Sequence, residues 1–435
     1  MTNYSWKFSC VALFSILATS LVPLLLGPSP AQGASYYVAT NGSDSNPGTL
    51  NQPFKSFKKG VSLLQPGDTL YIRGGTYTEQ MDFQGPNISG TSTGWIRIAG
   101  YPGEIVISQY ASGKTGGYGP IKARGNRGYF IFENLILDGV NGADATGWAL
   151  RDGNHHFILR NLEIKNFKTT GLFIIGNDIQ VLNCKIHDSV VDPPPRSSRR
   201  YGIYFSMGDN VVIDGIEIYN QPGGGITVFP GPVHKAIIRN NVIHHNNIME
   251  NSSVPGIQIF ADIDYTIHGP GVIDDVQIYN NVVHSNCVNK PGGGTCGGIQ
   301  VSNGATGTRV WNNTVYGNKG YGILVNAGDN GPAIDTVVQN NIVFANTSQQ
   351  IIDTGIDSII SHNLTTDPKF IKADAFDFRL QTHSLAIDAG IDIDTIRVDI
   401  KNVPRPGGRS FDIGAYEGGV SDSNPLNAPK NLSIK

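Results

Sequence analysis

A parallel β-solenoid is the fold this chain predicts, and three observations predict it. One phrase recurs between residues 130 and 346: an apolar run, an Asn, a second apolar run, then a turn and a Gly-started strand. The copies read IFENLILDG, ILRNLEIKN, QVLNCKIHD, VIDGIEIYN, IIRNNVIHH, QIYNNVVHS, RVWNNTVYG and VVQNNIVFA. Their punctuating residues are Asn134, Asn161, Asn183, Gly215, Asn240, Asn280, Asn312 and Asn340, spaced 22 to 40 residues apart. Fixed strands joined by elastic turns mark coils that bury their apolar faces only by stacking on one another. The second observation is the Gly that opens a third strand in each coil, at Gly171, Gly202, Gly225, Gly256, Gly298 and Gly322. The third is composition: 54 Gly and only 15 % charged residues in 435 suit long β-structure with many tight turns.

The elements follow in order. Residues 1–33 read as a signal peptide, with Lys7 before an apolar stretch from Cys10 to Leu26 and small residues at Ala31 and Gly33. The stretch is short and broken by Pro23, which argues against a membrane anchor. A secreted or cell-surface protein is therefore expected. Residues 34–129 form an entry cap and first coils. Within it Phe54, Phe57, Val61 and Leu64 have helical spacing that ends at Pro66-Gly67. A short helix there would cover the first coil, whose backbone is otherwise an open sheet edge. Residues 130–350 are the regular coils, 351–419 the last coils and a closing segment, and 420–435 a polar, proline-spaced linker.

Within a coil, alternation assigns faces. In QVLNCKIHD, Val181, Cys184 and Ile186 face in, while Lys185 and His187 face out. The Asn at the bend tolerates left-handed backbone, and stacked Asn amides can bond to one another up the column. A second Asn column is expected at Asn246, Asn286, Asn318 and Asn346. Outward residues Lys165, His187, Tyr219, His244, His284, Tyr316 and Phe344 predict a stacked-ring ladder on one face. On the Gly-started strands Leu172, Ile203, Ile226, Ile257, Ile299 and Ile323 face in. Phe173, Tyr204, Thr227, Gln258, Gln300 and Leu324 face out, followed by Ile175, Ser206, Phe229, Phe260, Ser302 and Asn326.

A net charge of −3 and the lack of any basic block exclude a nucleic-acid partner. Of the mature cysteines, Cys287 and Cys296 bracket one turn and suit a loop-closing disulfide in an exported protein. Cys184 is expected as a buried thiol.

Three stretches carry a family resemblance. YYVATNGSDSNPGTLNQPFKSFKKGVSLLQPGDTLYIRGGTYTE resembles the N-terminal segment of family 9 polysaccharide lyases. The NNxI coils resemble the right-handed parallel β-helix superfamily, the pectate-lyase-like fold. DPKFIKADAFDFRLQTHSLAIDAG with RPGGRSFDIGAYEGG resembles the closing segment of secreted bacterial β-helix proteins. The resemblance implies an all-β, right-handed parallel β-helix with an N-terminal capping helix and a C-terminal capping segment. It implies a carbohydrate partner and leaves the chemistry open, because one fold hosts several reactions.

Uronate β-elimination needs a cation for the sugar carboxylate, a base for the C5 proton and a donor for the leaving oxygen. In lyases of this fold these groups lie on the Gly-started strands and the flanking turns, where the longest insertions of this chain fall. The insertion HDSVVDPPPRSSRRYG brings Arg196, Arg199 and Arg200 beside Tyr201 and Tyr204, a set suited to clamping carboxylates. Arg200, His245 and Tyr204 are the catalytic candidates, His245 as base and Tyr204 as its alternative. Phe229, Phe260, Gln258 and Gln300, with Arg196 and Arg199, are the substrate-binding candidates, because sugars stack on rings and amides read hydroxyls. Asp262, Asp264, Asp274 and Asp275 share one turn. They read either as Ca2+ ligands, by likeness to the aspartate cluster of family 9 lyases, or as turn residues placed for the backbone. Those lyases use a Lys base on this strand, and the outward face here carries none.

Two functions remain open. One is a secreted protein that binds and cleaves an acidic, uronate-containing polysaccharide. The other is a non-catalytic extracellular scaffold for adhesion or glycan binding. A monomer is expected for both.

Overall fold

In a computed structural model the chain winds as a parallel β-helix. It is described over residues 33–83, 88–110, 119–123, 125–143, 146–189, 200–249, 253–262, 264, 271–289 and 296–418. The proposed linker at 420–435 and all but Gly33 of the proposed signal peptide lie outside the described residues. Each coil has three legs. The Gly-started legs stack Leu172, Ile203, Ile226, Ile257, Ile299, Ile323 and Ile351 in parallel register. The second legs stack Leu159, Val181, Ile213, Ile238, Ile278, Val310, Val338 and Ile360. Both belong to one 18-stranded sheet. The third legs make a ten-stranded sheet that stacks Leu137, Ile164, Ile186, Ile218, Ile243, Val283, Val315 and Val343. Inward columns from all three legs fuse into one core.

The Gly that opens each first leg has a packing cause. A Cβ on Gly171, Gly202, Gly225, Gly256, Gly298 or Gly322 would run into Ile186, Ile218, Ile243, Val283, Val315 or Val343 respectively. The core is too narrow at this corner for both a side chain and the branched residue of the third leg. Gly256→Ala is therefore expected to destabilise the chain by about 1–3 kcal/mol through overpacking. A fall in the urea midpoint with an unchanged slope would record it.

The bends bear out the left-handed expectation, and bend amides bond in two pairs, Asn161 to Asn134 and Asn340 to Asn312, at 3.2 Å. Asn134, Asn161, Asn183, Asn240, Asn280, Asn312 and Asn340 have φ between 49 and 58°, and Gly215 has 69°. The continuous buried amide ladder stands one residue later, at Asn241, Asn281, Asn313, Asn341 and Asn363, with Nδ2 donating to the next Oδ1 at 2.9–3.0 Å. The left-handed residue points away from the core, and the next residue turns in. Earlier coils fill that inward position with Leu135, Leu162, Cys184 and Ile216. The second column is as expected: Asn246, Asn286, Asn318 and Asn346 bond in series at 2.9–3.0 Å.

The entry helix α1 (Phe57–Ser62) buries Phe57 and Val61, with Phe54 and Leu64 flanking it. Ser56 caps it by accepting from Lys59 N, and the Glu79 carboxylate accepts from Phe57 N and Lys58 N. The lack of a side chain at Gly60 lets the helix settle on Leu70 and Val38 of the first coil. The closing segment covers the flank of the ten-stranded sheet. Phe370, Phe378, Leu380, Ile413 and Ala415 form a second core with Val282 and Ile342. Asn280, Asn312 and Asn340 donate their bend amides to carbonyls of Val398, Asp412 and Ile391. Cys287 and Cys296 form a disulfide, and Cys184 is buried, which pushes its thiol up to about 12. Among the described residues, no helix is long and apolar enough to cross a membrane.

Candidate carbohydrate-binding face

The outward column of the Gly-started legs is in register from Phe173 through Tyr204, Thr227, Gln258, Gln300 and Leu324. Its N-terminal part is aromatic. Tyr204 stacks on Phe173 at 5.2 Å and on Tyr201 at 5.2 Å; Phe229 follows at 6.5 Å from Tyr204, and Phe260 at 5.4 Å from Phe229. Phe229 and Phe260 are half-buried and keep ring surface open. Its C-terminal part is a chain of amides: Gln258 Nε2 donates to Gln300 Oε1 at 3.1 Å, and Gln300 Nε2 to Asn326 Oδ1 at 3.2 Å. Rings and amides thus occupy one continuous surface, as expected.

Two residues of that surface are less open than alternation implied. Tyr204 is 2 % exposed, clasped between the rings of Phe173 and Tyr201. Gln300 is also 2 % exposed, and both ends of its amide are engaged by Gln258 and Asn326. Outward direction fixes which side of the sheet a residue takes. It does not fix what crosses above it. The accessible reading groups are Phe229, Phe260 and Gln258, with Asn326 at the end of the chain.

The catalytic candidates do not all meet on this face. Arg200 is 5 % exposed, so its guanidinium is not presented on this surface; Arg196 and Arg199 lie outside the described residues. His245 sits at the end of the third leg, in the left-handed region (φ 51°). Its ring meets His244 at 5.0 Å and Phe376 of the closing segment at 5.6 Å. It flanks the ring ladder of the ten-stranded sheet, edge-on to His244, and Tyr204 belongs to the other sheet and another ring cluster. Burial, then the charge of His244, holds the His245 pKa below the usual imidazole range.

The middle of the expected ladder stacks, whereas Tyr316 and Phe344 at its end are tilted at 45° and 6.4 Å apart. His187, Tyr219, His244 and His284 stack at 4.9–5.1 Å with nearly parallel rings. Glu163 and Glu217 pair with His187 and His244, and these hydrogen bonds draw both carboxylates down to about 2.

The aspartates do not gather into a calcium site. Asp262 accepts from Asn330 Nδ2 at 2.9 Å, toward later coils, whereas Asp274 meets His234 Nδ1 at 2.8 Å in the preceding one. Asp275 takes a 3.5 Å contact from Gln277, and Asp264 is exposed. Among the described residues, no three His, Cys, Asp or Glu groups are placed to share a metal ion. Hard cations need six or more oxygens converging on one point. These residues do not fit Ca2+, and no chemical step is assigned to it.

Stacked three-legged coils with an entry helix and a closing segment define a parallel β-helix. The model of the Pel9A-like right-handed β-helix region matches residues 36–363, most of the chain, and the chain belongs to that family. Pectate lyase L of Dickeya chrysanthemi is 26 % identical over 455 residues, covering 93 % of this chain and 96 % of that protein. Pectate lyase PEL9 of Emericella nidulans is 26 % identical over 223 residues, so this chain spans about half of it (53 %). The crystal structure of pectate lyase Pel9A superposes with a TM-score of 0.64 at 18 % identity, over 89 % of this chain and 97 % of that one. At that identity the likeness is one of fold.

Proposed function

We propose that this protein binds an acidic, uronate-containing polysaccharide along the outer face of its Gly-started strands. The observation that carries the reading is the half-buried pair Phe229 and Phe260 on adjoining coils beside the Gln258–Gln300–Asn326 chain. Coils lie about 4.8 Å apart, so the two rings and the amides follow one another along the axis, where a linear polymer can meet them in turn. The family and its pectate lyases support an acidic polymer, as do Arg196 and Arg199 in the neighbouring insertion. The same relatives favour a second reading, cleavage by β-elimination. Against it stand the lack of Lys on the face and the placement of His245 on another sheet. Binding is the reading adopted.

The test is affinity electrophoresis in pectate, alginate and related gels, run beside absorbance of unsaturated uronate with added Ca2+ and with chelator. Retarded migration without an absorbance rise is the expected result. Phe260→Ala should weaken retention about tenfold, the scale of one stacked ring. A rise in absorbance would replace binding alone with lyase chemistry. Migration unaffected by every uronate polymer would sink the proposal.

A further inference from the structure

The bend after each Gly-started leg holds one residue in the left-handed region. In most coils the occupant suits that backbone: Asp178, Asn210, Asp275, Gly307, Asp335 and Asp357 have φ between 49 and 64°, with Lys235 the one long side chain among them. Asn, Asp and Gly take this conformation at little cost, whereas bulkier side chains crowd the following carbonyl. The first two copies of the repeat break the pattern. There the column carries Tyr129 at 62° and His156 at 54°, opposite one another in the strand register. The bend itself needs no ring, since later coils make it with Asp and Gly. An aromatic side chain held in sparsely populated backbone at a surface points to a use for the ring.

The rings form one cluster, in which Tyr129 and His156 lie closest to a common plane. Tyr129 and His156 lie 4.5 Å apart at 31° to each other, and Trp95 meets Tyr129 edge-on at 5.6 Å and His156 at 6.3 Å. None of the three is core. Phe130 and Phe157, the next residues along the same strands, fill the interior, while Trp95, Tyr129 and His156 are all half-buried. Polar groups rim the rings. The His155 and His156 Nδ1 atoms are 2.8 Å apart, and Asp178 Oδ2 lies 3.7 Å from His156 Nδ1. Asp178 is itself oriented by Asn210, whose Nδ2 donates to its Oδ1 at 2.7 Å. Ring faces edged by an imidazole pair and a fixed carboxylate match a pyranose, which offers an apolar face and a rim of hydroxyls.

From these observations we infer a second carbohydrate-stacking subsite, formed by Trp95, Tyr129 and His156 with Asp178 at its rim, for the pyranose rings of a polysaccharide. It rests on the binding reading above. It lies on the bend flanking the Gly-started strands, with His156 three coils and Tyr129 four coils before Phe229, roughly 14 to 19 Å along the axis at the usual strand spacing. One extended chain could therefore engage both, and the second subsite adds affinity only for chains long enough to span the gap.

Tyr129→Asn tests this directly, because Asn suits the left-handed backbone and removes only the ring. The variant should melt at or above the wild-type temperature and bind pectate or alginate polymer about tenfold more weakly. Binding of the corresponding trisaccharides at Phe229 and Phe260 should be unchanged. His156→Asn is the second variant, with the same direction expected. Unaltered polymer affinity in both folded variants, with Phe260→Ala still impaired, would overturn the subsite and leave the main face standing. A lowered melting temperature with full affinity would assign the rings to structure and overturn it as well. If wild-type protein binds no uronate polymer, both readings fall together.

Discussion

Arg405→Ala is expected to unfasten the closing segment from the β-helix at a cost of about 3–5 kcal/mol, the scale of breaking a buried ion pair by removing one partner. Both side chains of the Arg405–Glu417 pair are fully buried, with Nη1 donating to Glu417 Oε2 at 2.6 Å. The same guanidinium donates to the carbonyls of Asp412 and Gly414 at 3.0 and 2.7 Å, tying together the bend that Asn312 grips from the coil. Without it, Glu417 and Asp412 stay buried with no cation. One guanidinium already faces Glu417, Asp399 and Asp412, and burial pushes Glu417 up to about 7 and raises Asp412 too. A carboxyl raised above its unfolded value binds its proton more tightly when folded. Its stabilisation is complete below pH 4.5 and is lost as pH rises through about 7. Glu417→Gln should remove that alkaline loss while keeping an acceptor for Arg405. Denaturant unfolding with limited proteolysis of residues 364–418 reads both effects. An Arg405→Ala protein that resists protease like wild type would refute the role assigned to the pair.

Local pattern made much of this molecule readable, and distant contacts account for what it hid. A period of two residues sorted Ile203 from Tyr204 and Ile257 from Gln258, because each strand has only two faces. The Asn residues announced the bends, yet which Asn of each Asn-Asn pair builds the ladder depends on backbone direction after a left-handed residue. Asn240 and Asn241 look alike in sequence and differ in the structure. Neighbourhood along the chain misled most at the candidate site. Asp262 and Asp274 share an insertion, but their carboxylates answer to Asn330 and His234, residues of other coils. His245 opens an insertion that leads to the Gly-started strand, but its ring is fixed by Phe376, which arrives only with the closing segment. The closing segment itself was recognisable by resemblance. Its course along the ten-stranded sheet was not, because no periodicity records where a non-repeating segment docks. Trp95 and Tyr129 carried a signal that a column reading of the second bend could have found: rings where other coils place Asp, Asn or Gly.

His284 is expected to govern the onset of acid unfolding. It is almost wholly buried, stacked on His244 at 5.0 Å and covered by Phe376 at 4.6 Å and Phe378 at 5.2 Å. Burial, with the neighbouring His244 and His245, pushes its pKa down to about 3. An imidazole depressed in the folded state leaves the unfolded chain holding the extra proton between about pH 6.5 and 3. Stability from this group is therefore whole above pH 6.5 and falls by about 1.4 kcal/mol per pH unit as acid is added. Glu163 and Glu217, drawn down to about 2, act in the same direction only below pH 4.5, since a depressed carboxyl stabilises above its unfolded value. Glu417 opposes His284 between pH 4.5 and 6.5, so the quantity to measure is the difference between a variant and wild type. His284→Phe keeps a ring in the stack and removes the titration. Relative to its offset at pH 7, the variant should gain roughly 3 kcal/mol on wild type by pH 4.5, read from urea unfolding at each pH. Parallel stability curves for the two proteins would mean that His284 takes up its proton inside the fold, and that the closing segment does not seal the ladder from water.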